Sequence, residues 1–282
     1  MCRTCGCSDD AQPTLTNLQT GAELPLVTDR QTQHEHDQMH AHGIAHVHDH
    51  NGAVVLAREP GKMIRLEEDL LARNRLLAER NRNWLTSRNV LALNLISSPG
   101  AGKTTLLERT IRDLSDEVPI SVIEGDQATL HDAQRIAATG CKVVQINTGA
   151  GCHLEADMTA RALEQIDPPA RSLVMIENVG NLVCPAMFDL GEQAKVVVMS
   201  VTEGEDKPLK YPHAFRASQV MILNKIDLLP YVPFDVDRCL DYARQVNPQL
   251  RVFQTSTTRG DGLAQWTQWL REKRASLQRI LL

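Results

Sequence analysis

The chain has 282 residues, 42% of them hydrophobic, and a formal net charge of −5. That suits one sizeable globular domain with additional segments. With basic residues dispersed, except around Arg73 to Arg88, it lacks the electrostatic footprint of a nucleic-acid binder.

No apolar run approaches the ~20 residues of a membrane span, and the N-terminus lacks the apolar stretch of a signal peptide. A cytoplasmic protein with neither membrane nor nucleic-acid partners is therefore expected. In that reducing compartment the seven cysteines read as metal ligands, nucleophiles or buried apolar side chains rather than as disulfides.

The chain opens MCRTCGC. Three thiols this close, Cys2, Cys5 and Cys7, pair, lie idle or hold a soft metal ion. Residues 8 to 61 lack aliphatic periodicity and read as a mobile tail. Within it, HEHDQMHAHGIAHVHDH carries His34, His36, His40, His42, His46, His48 and His50. Imidazoles at this spacing on a flexible chain gather Ni²⁺, Zn²⁺ or Cu²⁺ at loose sites, which fits storage better than catalysis.

From Lys62 to Arg88 an amphipathic helix is expected, with apolar residues at 63, 66, 70, 77 and 84. The chain thus divides into a metal-binding tail (1–61), a linker helix (62–89) and a main domain (90–282). From residue 90 onward, apolar runs at 90–96, 119–125, 142–146, 171–177, 195–201, 219–225 and 251–256 alternate with helix-like segments. Continuous hydrophobicity means strands buried on both faces. The fold class is α/β, with a doubly wound, mainly parallel sheet.

The first run ends in SSPGAGKTT and leads into a helix, the arrangement of a phosphate-binding P-loop. Gly100, Ala101 and Gly102 turn the backbone around the phosphates. Lys103 places its ammonium on the β and γ groups, Thr104 offers a hydroxyl to Mg²⁺, and Thr105 continues the cradle. The general pattern has glycine where this chain has Ser97.

Two strand ends carry switch candidates. Asp126, in IEGDQ, is within reach of the Mg²⁺ shell; in ENVG, Glu177 acts through metal-bound water and Gly180 offers its N–H to the γ-phosphate. After Gly180 comes Asn181, so nothing clearly orients the attacking water and slow intrinsic hydrolysis is expected. Between the switches lies Cys152-His153, and Cys184 follows four residues after Gly180. A metal held by Cys152, His153 and Cys184 would be tied to the switch. Cys141 and Cys239 read as small buried apolar residues.

Farther on, NKID follows a strand. The carboxylate of Asp227 accepts from two donors that guanine presents and adenine does not, which favours GTP/GDP. Asn224 ties the base edge to the P-loop, the stem of Lys225 covers the purine face, and backbone groups around Ser256 cap the base.

Taken together, SSPGAGKTTLLE, IEGDQ, NTGAGCHL, IENVGNLVCPA, SVTEGEDKPLKYP and LNKIDLLPY, behind an N-terminal CxxCGC, resemble the HypB family, GTPases that help insert nickel into [NiFe]-hydrogenase. The likeness covers residues 90–282 and the first seven. It implies a GTP-dependent homodimer, a nickel site at Cys2, Cys5 and Cys7, and a nickel or zinc site at Cys152, His153 and Cys184. It also implies a HypA-type metallochaperone and a hydrogenase large-subunit precursor as partners. The terminal α-amine beside the three thiols would complete an N/S set that suits Ni²⁺. Rival readings are a storage protein with regulatory GTP binding, or an insertion GTPase for another nickel or cobalamin enzyme. The segment 203–212 is family-typical, but position alone assigns Lys207 no role.

Overall fold

The structure is a computed structural model that describes residues 13–26, 47–48, 54–55, 60–127 and 129–279. Its elements in chain order begin with the strands β1 (Thr14–Asn17), β2 (Glu23–Pro25), β3 (Val47–His48) and β4 (Val54–Val55) and the helix α1 (Pro60–Ser87). There follow β5 (Leu91–Ser97), α2 (Lys103–Leu114), β6 (Ile120–Asp126), α3 (His131–Ala137), β7 (Lys142–Asn147), α4 (Ala156–Ile166) and β8 (Leu173–Glu177). After these come α5 (Cys184–Met187), β9 (Ala194–Ser200), α6 (Lys207–Lys210), α7 (Pro212–Ala217) and β10 (Val220–Asn224). A 3₁₀ turn (Ile226–Tyr231), α8 (Val236–Val246), β11 (Arg251–Gln254) and α9 (Leu263–Arg279) complete the described chain.

Each of the seven apolar runs is a strand, and β5 to β11 pair in parallel in the spatial order β11-β10-β9-β5-β8-β6-β7. Alternate residues feed opposite faces. Leu91, Leu93 and Leu95 of β5 pack with Leu107 and Ile111 of α2, Ile136 of α3 and Trp266 of α9. On the other face Ala92 joins Leu85 of α1 and Leu163 of α4, while Val197 and Met221 meet Phe215 of α7 and Cys239 of α8. Helices on both faces of a parallel sheet make the doubly wound fold. The P-loop strand lies at its centre, where the strand order reverses and ligands bind at carboxyl ends.

Two expectations about the N-terminal third are corrected. Part of the segment read as tail belongs to the sheet: β1 pairs antiparallel with β7, and β2 with β1. Alternation in TLTN buries Leu15 and Asn17 while Leu26 closes the hairpin. Asn17 donates to Gln165 O (3.3 Å), and Gln19 accepts from the Val143 N–H (3.2 Å). Four residues of alternating burial are too short a signal to stand out among polar neighbours. Among the tail's other metal candidates only His48 lies within the described residues, in the ribbon of β3 and β4; Cys2, Cys5, Cys7, His34, His36, His40, His42, His46 and His50 lie outside them.

The helix is present, but the apolar stripe makes only part of its inward face: Leu77 and Trp84 are half-buried, with Trp84 packed on the core. Leu70 is 49% exposed, whereas Asn74, Ala78, Asn81 and Leu85 are buried at helical spacing. Asn74 donates to Asp189 O (2.7 Å) and accepts from the Ala156 N–H (2.8 Å). Asn81 donates to Ala156 O (2.8 Å) and Leu190 O (3.0 Å), and Arg82 grips the Asp189 carboxylate (2.6 and 2.7 Å). Gly191 comes so close that a Cβ there would lie 2.6 Å from Ala78 O. Polar residues on the buried face do not register in a hydrophobic pattern, so a helix built into the domain reads as a linker.

Asn81→Ala would leave two buried carbonyls short of a donor. It should lower unfolding free energy in urea by about 2 kcal/mol; an unchanged midpoint and slope would contradict this role for the helix.

Candidate nucleotide and metal site

The phosphate loop follows from its glycines. Gly100 and Gly102 have φ of +76° and +97°, left-handed values that L side chains rarely adopt. A Cβ on Gly102 would sit 2.6 Å from Asn224 Nδ2. The turn delivers the chain into the 12-residue α2, whose first N–H groups and dipole form an anion site. Lys103 and Thr104 are both buried at this helix start. Lys103 Nζ donates to Ser97 Oγ (2.8 Å), and Ser97 Oγ donates to Ser98 O (2.6 Å). The serine in the expected glycine's place therefore parks the lysine ammonium. Thr105 Oγ1 accepts from Arg135 (3.3 Å).

Thr104 Oγ1 donates to Glu177 Oε1 (2.9 Å). Burial pushes the Glu177 carboxyl up to about 7, against the opposing pull of Lys103 and Thr104. Opposite it in the β6–β8 pair stands Glu124, a residue the sequence reading missed. Burial, then the neighbouring Glu177, Asp126 and Asp132, push Glu124 up to about 9. The Oε2 atoms of both glutamates are buried without a hydrogen-bond partner. Two orphaned carboxylate oxygens beside a threonine hydroxyl are a hard-oxygen donor set that fits Mg²⁺. Asp126, at the end of β6, accepts from the N–H and Oγ1 of Thr129 (2.8 and 3.1 Å), so the structure shows its carboxylate bonded within its own turn.

Gly180 lies against the P-loop; a Cβ there would meet Pro99 Cγ at 3.1 Å, and Asn181 bridges Ser97. Lys207 also reaches the loop. Its Nζ donates to Ser98 Oγ (2.6 Å) and pairs with Glu203 (2.8 Å).

At the base end, Asn224 donates to Ala101 O (3.1 Å) and accepts from Thr255 Oγ1 (3.2 Å). Lys225, with φ of +63°, donates to Gly100 O (2.7 Å), which lays its stem across the base end of the loop. A hydrogen bond from Ser256 holds the Asp227 carboxyl below the usual carboxylate range, and the buried Ser256 Oγ accepts from the Arg259 N–H (3.2 Å).

The second cluster is formed by two loops. One leaves β7 and carries Cys152 and His153; the other, after β8, opens α5 with Cys184. Their sulfurs lie 2.9 Å apart, and Cys152 Sγ is 3.6 Å from His153 Nδ1. All three ligand atoms fall within 4.8 Å of one another. His153 packs against Phe188 with the rings tilted by 32° (centroids 3.9 Å apart), and its Nε2 lies 3.7 Å from Glu155. Two sulfurs and an imidazole form a soft donor set that suits nickel or zinc. Cys141 is half-buried and Cys239 fully buried; burial pushes the Cys239 thiol up to about 12, as an inert apolar residue requires.

Glu124 had one legible signal, a carboxylate inside an otherwise apolar strand. Lys207 had none beyond its segment.

Without nucleotide or metal, raised carboxyl pKa values mean that the folded chain binds protons the unfolded chain releases. The stability these groups lend is whole below their ordinary 4.5 and is lost as pH rises through about 7 and then about 9. Urea unfolding between about pH 5 and pH 9 should show a falling stability whose upper part Glu124→Gln flattens. A flat or rising curve for the parent chain would contradict the assignment.

Residues 91–254 match the family model described as the CobW/HypB/UreG nucleotide-binding domain. Hydrogenase maturation factor HypB of Escherichia coli K12 is 46% identical over 98% of this chain and 100% of its own length. The HypB of Azotobacter vinelandii is 53% identical over 78% and 74%. Among solved structures, HypB from Archaeoglobus fulgidus superposes with a TM-score of 0.68 at 39% identity, covering 72% of this chain and 99% of that one. HypB from Helicobacter pylori in complex with nickel gives 0.68 at 34%, covering 72% and 96%.

Proposed function

The chain belongs to the HypB family of hydrogenase maturation factors, and from that premise we propose that it is a GTP hydrolase whose nucleotide state governs nickel delivery to a [NiFe]-hydrogenase. The observation that carries this reading is the adjacency of the two clusters. The thiol pair sits on loops that flank the switch touching the P-loop, with Cys184 four residues beyond Gly180.

In the bound state the N–H groups at the start of α2 receive phosphate oxygens, and Lys103 leaves Ser97 for the β and γ groups. Thr104 and Asp126 would hold Mg²⁺, with Glu177 acting through metal-bound water and Glu124 facing it across the β6–β8 pair, and the ion would neutralise charge developing on the γ-phosphate. Asn224, Lys225 and Asp227 hold guanine. With Asn181 after the switch glycine, intrinsic hydrolysis is slow and rises on homodimerisation or partner binding. Nickel is cargo, held at Cys2, Cys5 and Cys7 and at Cys152, His153 and Cys184; zinc competes at the second site, and His34 to His50 act as a loose reserve. The partners are a HypA-type metallochaperone and the hydrogenase large-subunit precursor, in the cytoplasm.

Lys103→Ala should abolish GTP hydrolysis and fail to restore hydrogenase activity in a host lacking its own HypB-family protein. Full restoration by the hydrolysis-dead chain would overturn the reading. Asp227→Asn replaces an acceptor by an amide that matches the 2-carbonyl of xanthine. It should shift preference from GTP to XTP by roughly 10²-fold or more, measured by competition binding; unchanged preference would remove Asp227 from the base site.

A further inference from the structure

Between Glu177 and Gly180 lies a side chain whose hydrogen bonds reach the switch, the P-loop strand and the residue after His153. Asn178 is 1% exposed. Its Oδ1 accepts from the N–H of Leu154 (3.2 Å), the residue after His153, and from the N–H of Val179 (3.0 Å) in the switch itself. Its Nδ2 donates to Asn94 Oδ1 (3.2 Å) on the P-loop strand. Asn94 in turn donates to Glu192 Oε1 (3.2 Å), which lies 3.6 Å from Lys195 Nζ. Lys195, also buried, donates to Pro185 O (2.9 Å), Ala186 O (3.3 Å) and Phe188 O (3.0 Å), carbonyls of α5, which Cys184 opens, and of the residue that follows it. One amide thus reaches the Cys152-His153 loop directly and the Cys184 loop through three further side chains.

We propose that Asn178 is the positioning residue through which nucleotide state sets the geometry of the Cys152–His153–Cys184 site. A buried amide with its acceptor and donor both engaged is held in one orientation, because turning it would leave buried groups unpaired. When the 177–180 backbone is drawn toward a γ-phosphate, Asn178 moves with it. The Leu154 N–H and the Asn94–Glu192–Lys195 chain transmit that displacement to the two loops that carry the sulfurs. This rests on the reading that nucleotide governs the metal.

The test uses the full-length chain with Cys2, Cys5 and Cys7 replaced by alanine, so that thiolate-to-nickel absorption reports the second site alone. Nickel affinity is measured by chelator competition with GDP and with a non-hydrolysable GTP analogue. In this parent the two affinities should differ by about five-fold or more. Asn178→Ala should bring the ratio to about one while nucleotide-free nickel affinity and analogue affinity each stay within about three-fold. A ratio retained in Asn178→Ala overturns the proposal, whereas a ratio of one already in the parent overturns the coupling reading on which it rests. Should Asn178→Ala fail to fold, Asn94→Ala breaks only the arm toward Cys184. It should at least halve the ratio, and an unchanged ratio overturns the proposal.

Discussion

The hydrogen bond from Thr104 to Glu177 joins the first turn of α2 to the carboxyl end of β8, and the rest of the site is organised around it. It brings the phosphate helix and the switch loop together at the centre of the sheet, where β5 lies between β8 and β9. From Glu177 the chain runs straight into Asn178, Gly180 and, a few residues later, Cys184. Because the strand is fixed on both sides by parallel neighbours, a change at the phosphates would be passed to the loop beyond the strand rather than absorbed by it.

Such a centre is expensive to bury. Glu124, Glu177 and Glu192 are all nearly inaccessible, and burial pushes the carboxyl of each above its ordinary range. Glu192 and Lys195 lie 3.6 Å apart, and the lysine's remaining donors meet three carbonyls, which keeps a buried charge partnered. Glu124 and Glu177 keep unpartnered oxygens instead, pointing to a cation as their missing partner. Helix α1 belongs to the same economy of polar groups. Asn74 and Asn81 bond to Ala156, Asp189 and Leu190, shortly after His153 and Cys184, so the helix braces both segments of the Cys152–His153–Cys184 cluster from outside.

Much of this was legible in the residues themselves. Continuous apolar runs located every strand of the parallel sheet. The glycines of the P-loop, NKID, ENVG and the Cys-His pair each sat beside a strand end where their chemistry requires them. Short alternation and buried amides escaped. The β1–β2 hairpin offers only a few residues of pattern, and its partner strand lies over a hundred residues away. Asn74, Asn81 and Asn178 are indistinguishable in sequence from solvated loop or helix polar residues until folding encloses them. Glu124 stood within the quoted IEGDQ, yet only the register with Glu177 reveals two facing carboxyls.

The central claim is that the nucleotide cycle moves the metal, and a single-turnover experiment tests it most directly. The nickel-loaded, GTP-loaded chain is triggered with Mg²⁺ in a stopped-flow instrument, with one dye reporting phosphate release and another capturing free nickel. The account predicts that nickel leaves with the same time course as phosphate and that the GTP-loaded and GDP-loaded chains release it at different rates. Identical nickel release from both forms, indifferent to hydrolysis, would contradict it.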